Sequence, residues 1–481
     1  MESGEDVLTL RVFNTLTKRK EEFVPTEKGK VGMYVCGPTV YDYIHIGNAR
    51  SFVAFDVIRR YLEYKGYKVT YVSNLTDVDD KTIRRAEEMG TSFQQLGEKY
   101  SDSYFTDLTK LGIKKPSINP RATQHIEEII NLIQILIDKG YAYVVDGNVY
   151  YDISKFEDYG KLSGNKAEAL EAGARIEVDS HKRNPADFAL WKKQKSGEPA
   201  WNSPWGNGRP GWHIECSVMS TKYLGETLDI HAGGKDLIFP HHENEIAQSE
   251  AATGKPFAKY WLHNEWLTVN GEKMSKSLGN FITAHEAIEK YGSQVVRFFL
   301  ASVHYRSPID FSDRNLKQAK KNLEKLLNAL EKINVLRGGE RKRAGDEELL
   351  KQVEKIRQKF EEAMDDDFNT ALAVSALFGL TREINWYVKD HVEIGTEVKK
   401  KIVRIAETLV EDVLGIKTER RKPETDKLLE NLMDLIIDLR RQMRERKDWK
   451  TADEIRTELR ALGLVLEDTP EGTRWKIKRK P

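Results

Sequence analysis

The stretch MYVCGPTVYDYIHIGN, residues 33–48, decides the fold because it joins a strand to a helix. An apolar run with β character ends at Val35, and a Gly-Pro pair then breaks the chain. Apolar residues recur at spacings of three and four over 52–62, which predicts a helix. Its N-terminus offers free N–H groups and the positive end of the helix dipole, so it is a candidate phosphate site. Gly47 would let a phosphate approach the backbone closely.

A second predicted strand over 68–73 completes a strand–helix–strand unit. Such a unit predicts a parallel sheet whose ligand site lies at the carboxyl ends of the strands. The pattern resumes with a short strand at 227–230, a glycine loop at 233–234 and a helix that opens near Pro240, where a first-turn proline is tolerated. We therefore predict an α/β fold with a Rossmann-type parallel sheet.

Changes in composition divide the chain further. A Gly-, Pro- and Trp-rich insertion interrupts the sheet domain, charged amphipathic helices start near residue 314, and a linker is predicted at 417–423 before a C-terminal hairpin at 464–478. We predict five segments: 1–115, 116–210, 211–312, 313–416 and 417–481. They are the first half of the sheet domain, an insertion, the second half, an α-helical bundle and a small α+β region. The predicted apolar stripe of the last segment is Leu428, Leu432, Leu435, Leu439 and Met443.

The overall composition excludes several classes of protein. The net charge is +1, so any nucleic-acid surface must be a local patch. Two cysteines in 481 residues do not make a disulfide framework, which favours a reducing, cytoplasmic setting. No apolar run is long enough to span a membrane, and we expect no signal peptide from the acidic N-terminus.

Four residues form a candidate metal site. Cys36 and Cys216 are the only thiols, while His241 and Glu245 lie four apart at a predicted helix start and so share one face. Two thiolates, an imidazole and a carboxylate suit zinc. The same residues are also compatible with two ordinary buried cysteines and a surface ion pair.

Two further motifs are candidates for nucleotide binding. His45 stands at the predicted helix start, and Lys273 and Lys276 lie in a loop between glycines. Ammonium groups on such a loop can stabilise the charge that develops on a triphosphate. Each motif alone is compatible with a structural histidine or a solvated turn, whereas the two together, one in each half of the sheet domain, are much more specific.

These motifs resemble those of a known family. The stretches HIGN (45–48) and KMSKS (273–277) are similar to the two signatures of class I aminoacyl-tRNA synthetases. Together with Cys36, GWHIEC (211–216) and FPHHENE (239–245), the chain resembles the cysteinyl-tRNA synthetase family. The similarity extends to DDDFNT (365–370) and LEDTPEGTRW (466–475), and so covers nearly the whole chain.

The resemblance implies a role for each matching residue. The implied zinc ligands, which would hold the substrate's thiolate, are Cys36, Cys216, His241 and Glu245. The implied contacts of the substrate cysteine are Thr76, Trp212 and His231. The implied catalytic residues are His45, Asn48, Lys273 and Lys276. The implied ATP-binding residues are Gly47, Gly234, Asp236 and Lys276, with Mg²⁺ accompanying the ATP. One departure concerns Asn48, because the common signature has a second histidine there.

The resemblance also implies a reaction. L-Cysteine would be activated with ATP to cysteinyl-adenylate and transferred to the 3′ end of tRNA(Cys). The segment 313–416 would then bind tRNA, and 417–481, with its basic end, would bind the anticodon. No editing domain is expected, because a zinc that needs a soft ligand already rejects serine. We expect a monomeric, cytoplasmic enzyme without a membrane partner.

Two alternatives remain at this point. A cysteine ligase could use the same adenylate with an amino-sugar acceptor, but the long region after residue 320 argues against it. A noncatalytic RNA-binding or zinc module would not need His45, Lys273 and Lys276.

Overall fold

The chain forms two compact units, residues 1–418 and residues 419–481. The computed structural model describes residues 9–165, 181–275, 278–340, 343–418, 423–462, 464–469 and 472–477. Several predicted features lie outside the described residues: Lys276, part of the linker (419–422), the hairpin tip (470–471) and the basic end (478–481).

The first unit opens with an antiparallel pair, β1 (Arg11–Asn14) and β2 (Arg19–Glu22). The first half of the sheet domain follows with β3 (Lys30–Val35), α1 (Ile46–Tyr64), β4 (Lys68–Val72), α2 (Asp80–Glu88) and α3 (Phe93–Lys110). The insertion contains α4 (Ile126–Asp138), β5 (Ala142–Val145), β6 (Asn148–Tyr151), β7 (Phe188–Lys193) and β8 (Gly208–Pro210).

The second half contains α5 (Trp212–Leu224), β9 (Leu228–Gly234), α6 (Glu243–Thr253), β10 (Ala258–Asn264), β11 (Leu267–Val269), β12 (Glu272–Lys273), α7 (Ala284–Tyr291), α8 (Ser293–Ala301) and β13 (Ile309–Phe311). The helical region contains α9 (Asp313–Val335), β14 (Arg337–Gly339), α10 (Asp346–Asp365), α11 (Thr370–Asp390), β15 (Glu393–Gly395) and α12 (Thr396–Glu407), followed by one wider turn (Thr408–Val413).

The central sheet confirms the predicted α/β fold. Its strand order is β10-β9-β3-β4, and all three pairings are parallel. Strand β3 pairs with β9 in the register Tyr34 to His231 and Val35 to Ala232. The two halves of the domain, far apart in sequence, therefore meet at the centre of one sheet, and their carboxyl ends share one edge.

The glycine pair at 233–234 lies inside strand β9 and not in the predicted loop, because both glycines pair with β10. A Cβ atom at Gly233 would lie 2.9 Å from Leu237 Cδ1 and 3.0 Å from His242 Cε1. Glycine is therefore required here by close packing against His242 rather than by a turn.

The insertion is a four-stranded antiparallel sheet, β5-β6-β7-β8, with its own core against α4. It returns the chain to the sheet domain at Gly211, whose N–H donates to the carbonyl of Leu190 at 2.8 Å. A Cβ atom at Gly211 would lie 1.9 Å from the Ala189 carbonyl oxygen. This close approach fixes the start of α5, which contains Trp212 and Cys216.

One hydrophobic core joins the sheet domain to the helical region. It is continuous from Leu10 in the first strands to Ile416 after α12. A buried ion pair lies within this contact: Arg297 Nη2 donates to Asp56 Oδ2 at 2.6 Å, and both side chains are 1% exposed. The same guanidinium donates to the carbonyls of Leu111 and Leu414, at 2.9 and 2.8 Å.

The second unit contains α13 (Pro423–Glu445), α14 (Trp449–Ala461) and the antiparallel hairpin of β16 (Leu464–Thr469) and β17 (Gly472–Ile477). Its core is built on Met433, Leu459 and Leu466. The predicted leucine stripe is wrong, because three of its members are 43–57% exposed: Leu432, Leu435 and Leu439. The buried face of α13 lies one residue further round the helix. No helix in the described residues is long and apolar enough to cross a membrane.

The buried ion pair generates a stability prediction. Asp56→Ala should lower the free energy of unfolding by about 3–5 kcal/mol at pH 7, because it leaves the Arg297 guanidinium buried without a carboxylate. Burial alone would raise the pKa of Asp56, but the charges of Arg297 and Arg60 outweigh it and hold that pKa below its usual value. The contribution is therefore complete above about pH 4 and is lost as the pH falls further, so the variant and the wild type should converge in acid.

Chemical unfolding at pH 7 and at lower pH measures this difference. The matched control is Glu397→Ala, which removes an exposed pair with Lys400 and should change stability by less than about 0.5 kcal/mol. An Asp56 variant as stable as this control would contradict the prediction.

Candidate active site

The predicted metal residues meet at the carboxyl edge of the central sheet. Cys36 directly follows β3, and its N–H donates to the carbonyl of Ala232 in β9 at 3.1 Å. Cys216 lies in the second turn of α5, while His241 and Glu245 lie just before and within the first turn of α6. One ligand atom from each of the four residues lies within 4.8 Å of all the others, and all four are buried.

Glu245 is at the centre of this cluster. Its Oε1 lies 3.0 Å from His241 Nε2, and its Oε2 lies 2.7 Å from His231 Nε2. The Cys36 Sγ atom is 3.8 Å from Oε1. The fully buried carboxyl group thus contacts three potential ligands at once, including His231, for which the family resemblance implies a contact with the substrate.

A second, overlapping set of donors was not predicted. Cys36, His231, His242 and Glu245 also have ligand atoms within 4.8 Å of one another. His242 Nε2 lies 3.3 Å from Cys36 Sγ. The sequence does show two adjacent histidines at 241–242. The prediction relied on a spacing of four residues to Glu245, which only His241 has.

Neighbouring side chains contact the far nitrogens of both imidazoles and orient them. His241 Nδ1 lies 2.9 Å from His213 Nδ1, and His242 Nδ1 lies 2.8 Å from His263 Nε2. His263 in turn contacts Thr15 Oγ1 at 2.8 Å. Such contacts on the far nitrogen direct the other nitrogen toward a metal and set its tautomer. Nothing in the sequence motifs indicated His213, His263 or Thr15 as partners.

Burial favours the neutral forms of Cys36, Glu245, His241 and His242. It raises the pKa of Cys36, as does the neighbouring Cys216, and it raises the pKa of Glu245. Burial and the neighbouring imidazoles lower the pKa values of His241 and His242. The imidazoles are therefore ready to coordinate at pH 7, and a cation would have to displace protons from Cys36 and Glu245.

Thr76 and Trp212, the predicted substrate contacts, flank this cluster. Trp212 stacks on the His241 ring with a centroid distance of 4.3 Å and an interplanar angle of 26°. The Thr76 hydroxyl donates to Glu215 Oε2 at 2.9 Å. Burial and the Cys216 thiol raise the pKa of Glu215 well above its usual value. Glu215 was not predicted, because a glutamate beside a cysteine has no distinctive spacing.

The nucleotide motif at 45–48 forms the N-terminal cap of α1. His45 Nδ1 accepts from the Asn48 N–H at 3.1 Å, and Asn48 Oδ1 accepts from the His45 N–H at 3.2 Å. Because Nδ1 is an acceptor, the neutral imidazole has its proton on Nε2. Asn48 thus closes a capping box, and this gives a physical role to the residue that departs from the common signature.

The second nucleotide motif lies against the first. The Ile46 N–H donates to the carbonyl of Ile282 at 3.0 Å, and a Cβ atom at Gly47 would lie 3.7 Å from Met274 Cε and 2.9 Å from His45 Nδ1. Gly47 is therefore also needed to leave room for the His45 ring. The structure brings the two segments together, and their shared role in nucleotide binding stays a prediction.

The lysine loop is closed by Asn280. Its Oδ1 accepts from the Ser275 N–H at 2.8 Å, and its Nδ2 donates to the Lys273 carbonyl at 3.2 Å. The Lys273 ammonium lies 5.3 Å from the centroid of the Trp266 ring. Gly234, at the end of β9, lies beside the first turns of α1, since a Cβ atom there would be 3.9 Å from Ser51 Oγ. Asp236 follows in a short turn.

Three family models match the chain. The description "tRNA synthetases class I (C) catalytic domain" matches residues 22–321, "DALR domain" matches 359–418, and "Cysteinyl-tRNA ligase anticodon binding domain" matches 434–475. The first model alone covers more than half of the chain.

Curated relatives match over nearly the full length. The cysteine–tRNA ligase of Clostridioides difficile (strain 630) is 54% identical over 97% of this chain and 100% of its own. That of Carboxydothermus hydrogenoformans is also 54% identical, with the same shares covered.

Solved structures share the fold at low identity. Mycobacterium tuberculosis methionyl-tRNA synthetase in complex with methionyl-adenylate has a TM-score of 0.61 and 18% identity, and the match covers 80% of this chain and 92% of that one. The ternary complex of Agrobacterium radiobacter K84 LeuRS with tRNA and LeuAMS has a TM-score of 0.60 and 13% identity, covering 82% and 85%.

The two overlapping donor sets generate a metal-binding prediction. The set with two thiols should be the one used, because thiolates are the stronger ligands for soft and borderline metals. His241→Ala should therefore weaken Zn²⁺ binding more than His242→Ala, whose loss should fall in the range of about 10–100-fold typical of outer partners. Competition with a chromophoric chelator measures both affinities. Loss of binding in His242→Ala together with unchanged binding in Cys216→Ser would instead assign the other set.

Proposed function

The chain belongs to the cysteine–tRNA ligase family of class I aminoacyl-tRNA synthetases, and from this premise we propose which of its residues perform each part of the reaction. It is an enzyme that ligates cysteine to tRNA at the expense of ATP. The amino-sugar ligase alternative is not supported, because the C-terminal region matches the anticodon-binding model. The single observation on which the proposal rests most heavily is the buried cluster of Cys36, Cys216, His241 and Glu245.

The donor set fits zinc. Four ligand atoms of the right chemical types lie together, and the second nitrogen of His241 has a partner. When bound, Zn²⁺ supplies a soft Lewis acid that takes the substrate's thiolate and does not take a serine hydroxyl. The roles of these residues would be to hold the ion and to shield it from water.

Thr76, Trp212 and His231 are proposed to surround the bound cysteine. The Trp212 ring, which is 38% exposed, lies on His241 at the open side of the cluster, where it can close over the amino acid. His231 is fully buried, and burial lowers its pKa to about 3, so it faces the substrate as a neutral imidazole. These residues therefore shape the pocket without adding a positive charge.

His45, Asn48, Lys273 and Lys276 are proposed to act on ATP. The substrate carboxylate attacks the α-phosphorus and pyrophosphate leaves, so no protein nucleophile is needed. The Nε2–H of His45 and the N–H groups of the α1 N-terminus can donate to phosphate oxygens. Lys273 and Lys276 supply positive charge near the phosphate oxygens, where negative charge develops in the transition state.

Gly47, Gly234 and Asp236 are proposed to hold the nucleotide. Gly47 admits the phosphates to the helix N-terminus, and Gly234 lies at the end of β9 beside α1. Asp236 offers a carboxylate to the ribose hydroxyls. We propose that Mg²⁺ enters with the ATP and is held mainly by its phosphates, as is common for this ion.

A basic cleft is proposed to receive the acceptor end of tRNA(Cys). The cleft has a volume of about 990 Å³ and lies between the insertion and the loop after β4, reaching Trp212. Six basic residues and two acidic residues line it, and Asp80 pairs with Lys192 and Arg209: Lys81, Lys182, Lys192, Lys193, Lys195 and Arg209, with Asp79 and Asp80. Such a surface attracts the phosphates of a single-stranded RNA end and guides it toward the activated amino acid.

The remaining proposals concern the roles of the five segments, the oligomeric state and the location of the protein. Residues 1–115 and 211–312 would form the catalytic domain around the insertion at 116–210, while 313–416 would bind tRNA and 417–481 its anticodon. We propose a monomer with one zinc ion per chain. Its proposed location is the cytoplasm, because charged tRNA is consumed there by translation.

The first test is charging of tRNA(Cys) with labelled cysteine by zinc-loaded and zinc-stripped enzyme side by side. Charging should require zinc, while circular dichroism should show that the stripped protein stays folded. Cys216→Ser should behave in the same way. A stripped protein that unfolds would indicate a structural metal, and full charging without zinc would overturn the proposed role of the cluster.

Serine should be activated orders of magnitude less well than cysteine, because the pocket recognises a thiolate rather than the shape of the side chain. ATP–pyrophosphate exchange with each amino acid measures the ratio. Comparable rates for the two amino acids would contradict the proposal.

The capping box predicts a graded effect at Asn48. Asn48→Ala removes the acceptor of the His45 N–H and should destabilise the start of α1 by about 1 kcal/mol. It should also raise the KM for ATP, because the Asn48 side chain no longer holds the backbone of His45, although the Asn48 N–H still donates to the His45 ring. Asn48→Asp retains the acceptor and should preserve the stability of the cap, and thermal melting with pyrophosphate exchange compares the two variants.

A further inference from the structure

A buried hydrogen-bonded chain links the residues that follow Cys36 to the residue that precedes Cys216. The Gly37 N–H donates to Asn74 Oδ1 at 2.9 Å, and Asn74 Nδ2 donates to Thr76 Oγ1 at 3.2 Å. The Thr76 hydroxyl donates to Glu215 Oε2 at 2.9 Å. The side chains of Asn74, Thr76 and Glu215 are each at most 2% exposed.

The Gly37 N–H fixes the direction of the first two links, and the Thr76 hydroxyl is placed to donate in the third. A backbone N–H can only donate, so the Asn74 oxygen must face Gly37 and the Asn74 amide group must face Thr76. One lone pair of Thr76 Oγ1 is then occupied, and its single proton is directed to Glu215. The hydroxyl retains one lone pair, with which it can only accept.

We infer that Asn74 and Glu215 are positioning residues that hold the Thr76 hydroxyl as an acceptor for the α-ammonium group of the substrate. Of the three polar groups of cysteine, only the ammonium can donate, whereas the carboxylate and the thiolate can only accept. The inference rests on the proposed contact between Thr76 and the substrate. It adds a reason why the site takes an amino acid rather than any small thiol.

An unpartnered oxygen supports this assignment. Glu215 is fully buried, and its Oε1 has no hydrogen-bond partner among the residues that the structure describes. A buried carboxyl oxygen without a partner is costly, so it marks a place where a hydrogen-bond partner is missing. The ammonium group has three N–H donors, so it can donate to Thr76 Oγ1 and still has donors for Glu215 Oε1.

The test compares two ligands that differ in the ammonium group. L-Cysteine has it, while 3-mercaptopropionate has the thiol and the carboxylate without it. In zinc-loaded enzyme, pyrophosphate exchange gives the KM for cysteine, and inhibition of that exchange gives the Ki for 3-mercaptopropionate. Glu215→Gln and Asn74→Asp keep the shapes of the side chains but change which groups donate and which accept in the hydrogen bonds to Thr76.

Each of these variants should raise the KM for cysteine about tenfold or more, as expected for a lost hydrogen bond to a charged group. The Ki for 3-mercaptopropionate should change by less than about threefold, since that ligand makes no ammonium contact. Thr76→Val should resemble Glu215→Gln, and Thr76→Ser should restore most of the affinity. The double variant Glu215→Gln with Thr76→Val should be no worse than Thr76→Val alone, because the two residues act as one unit.

The matched control is Asp187→Asn in the insertion. Asp187 is also a buried acid whose pKa is raised by burial, and it accepts from Tyr143 and from two backbone N–H groups. All of these partners belong to the insertion, so the Asp187→Asn variant should leave the KM for cysteine and the Ki for 3-mercaptopropionate unchanged. Zinc content should stay the same in all variants.

Equal weakening of both ligands together with loss of zinc would overturn the inference and assign Glu215 to the support of Cys216. An unchanged KM for cysteine in both Glu215→Gln and Asn74→Asp would also overturn it. These outcomes concern the variants alone, whereas wild-type enzyme without cysteine-dependent exchange would count against the proposed function itself.

Discussion

The parallel pairing of β3 with β9 is the constraint on which the site depends. These strands belong to halves of the domain that are separated by the whole insertion, and their register sets Tyr34 against His231 and Val35 against Ala232. Side chains alternate between the two faces of a strand, so a slip of one residue would turn His231 away from the cluster. The N–H of Cys36 extends this register by one more hydrogen bond, to Ala232. The geometry of the candidate metal site is therefore a consequence of the sheet.

The cluster that the register assembles is unfavourable by itself. It buries two thiols, several imidazoles and a carboxyl group, and such groups lose their solvation by water. Two features reduce this cost: burial lowers the pKa values of His241 and His242, which favours their neutral forms, and His213 and His263 contact their far nitrogens. Because the imidazoles are already neutral and oriented, only the thiol and carboxyl groups have to release protons when a cation binds. The burial that is unfavourable by itself therefore prepares the site for a cation.

Much of the fold could be predicted from the sequence because periodicity reports directly on strands and helices. The βαβ unit around residues 33–48 and the four separated metal residues are of this kind, since helical spacing and rare cysteines are local signals. Residue types and spacing made these four residues a candidate metal site, and the family resemblance assigned them as zinc ligands. Neither indicated that His242 would lie in a second donor set of the same size. Glu215, His213 and His263 act only through tertiary contacts, which no spacing records. The leucine stripe of α13 failed for a related reason: an amphipathic helix shows which residues are apolar, but the packing partner decides which face is buried.

The continuous core from Leu10 to Ile416 limits how this protein can be divided. A fragment that stopped at residue 312 would keep every proposed catalytic and metal-binding residue, yet it would lose the Leu414 carbonyl that accepts from Arg297 and expose apolar surface along α8. The helical region is thus part of the same folding unit as the chemistry, whatever its role toward RNA. Recombination between relatives can exchange the segment after residue 418 as a module, whereas any exchange within residues 1–418 must replace both sides of a shared interior.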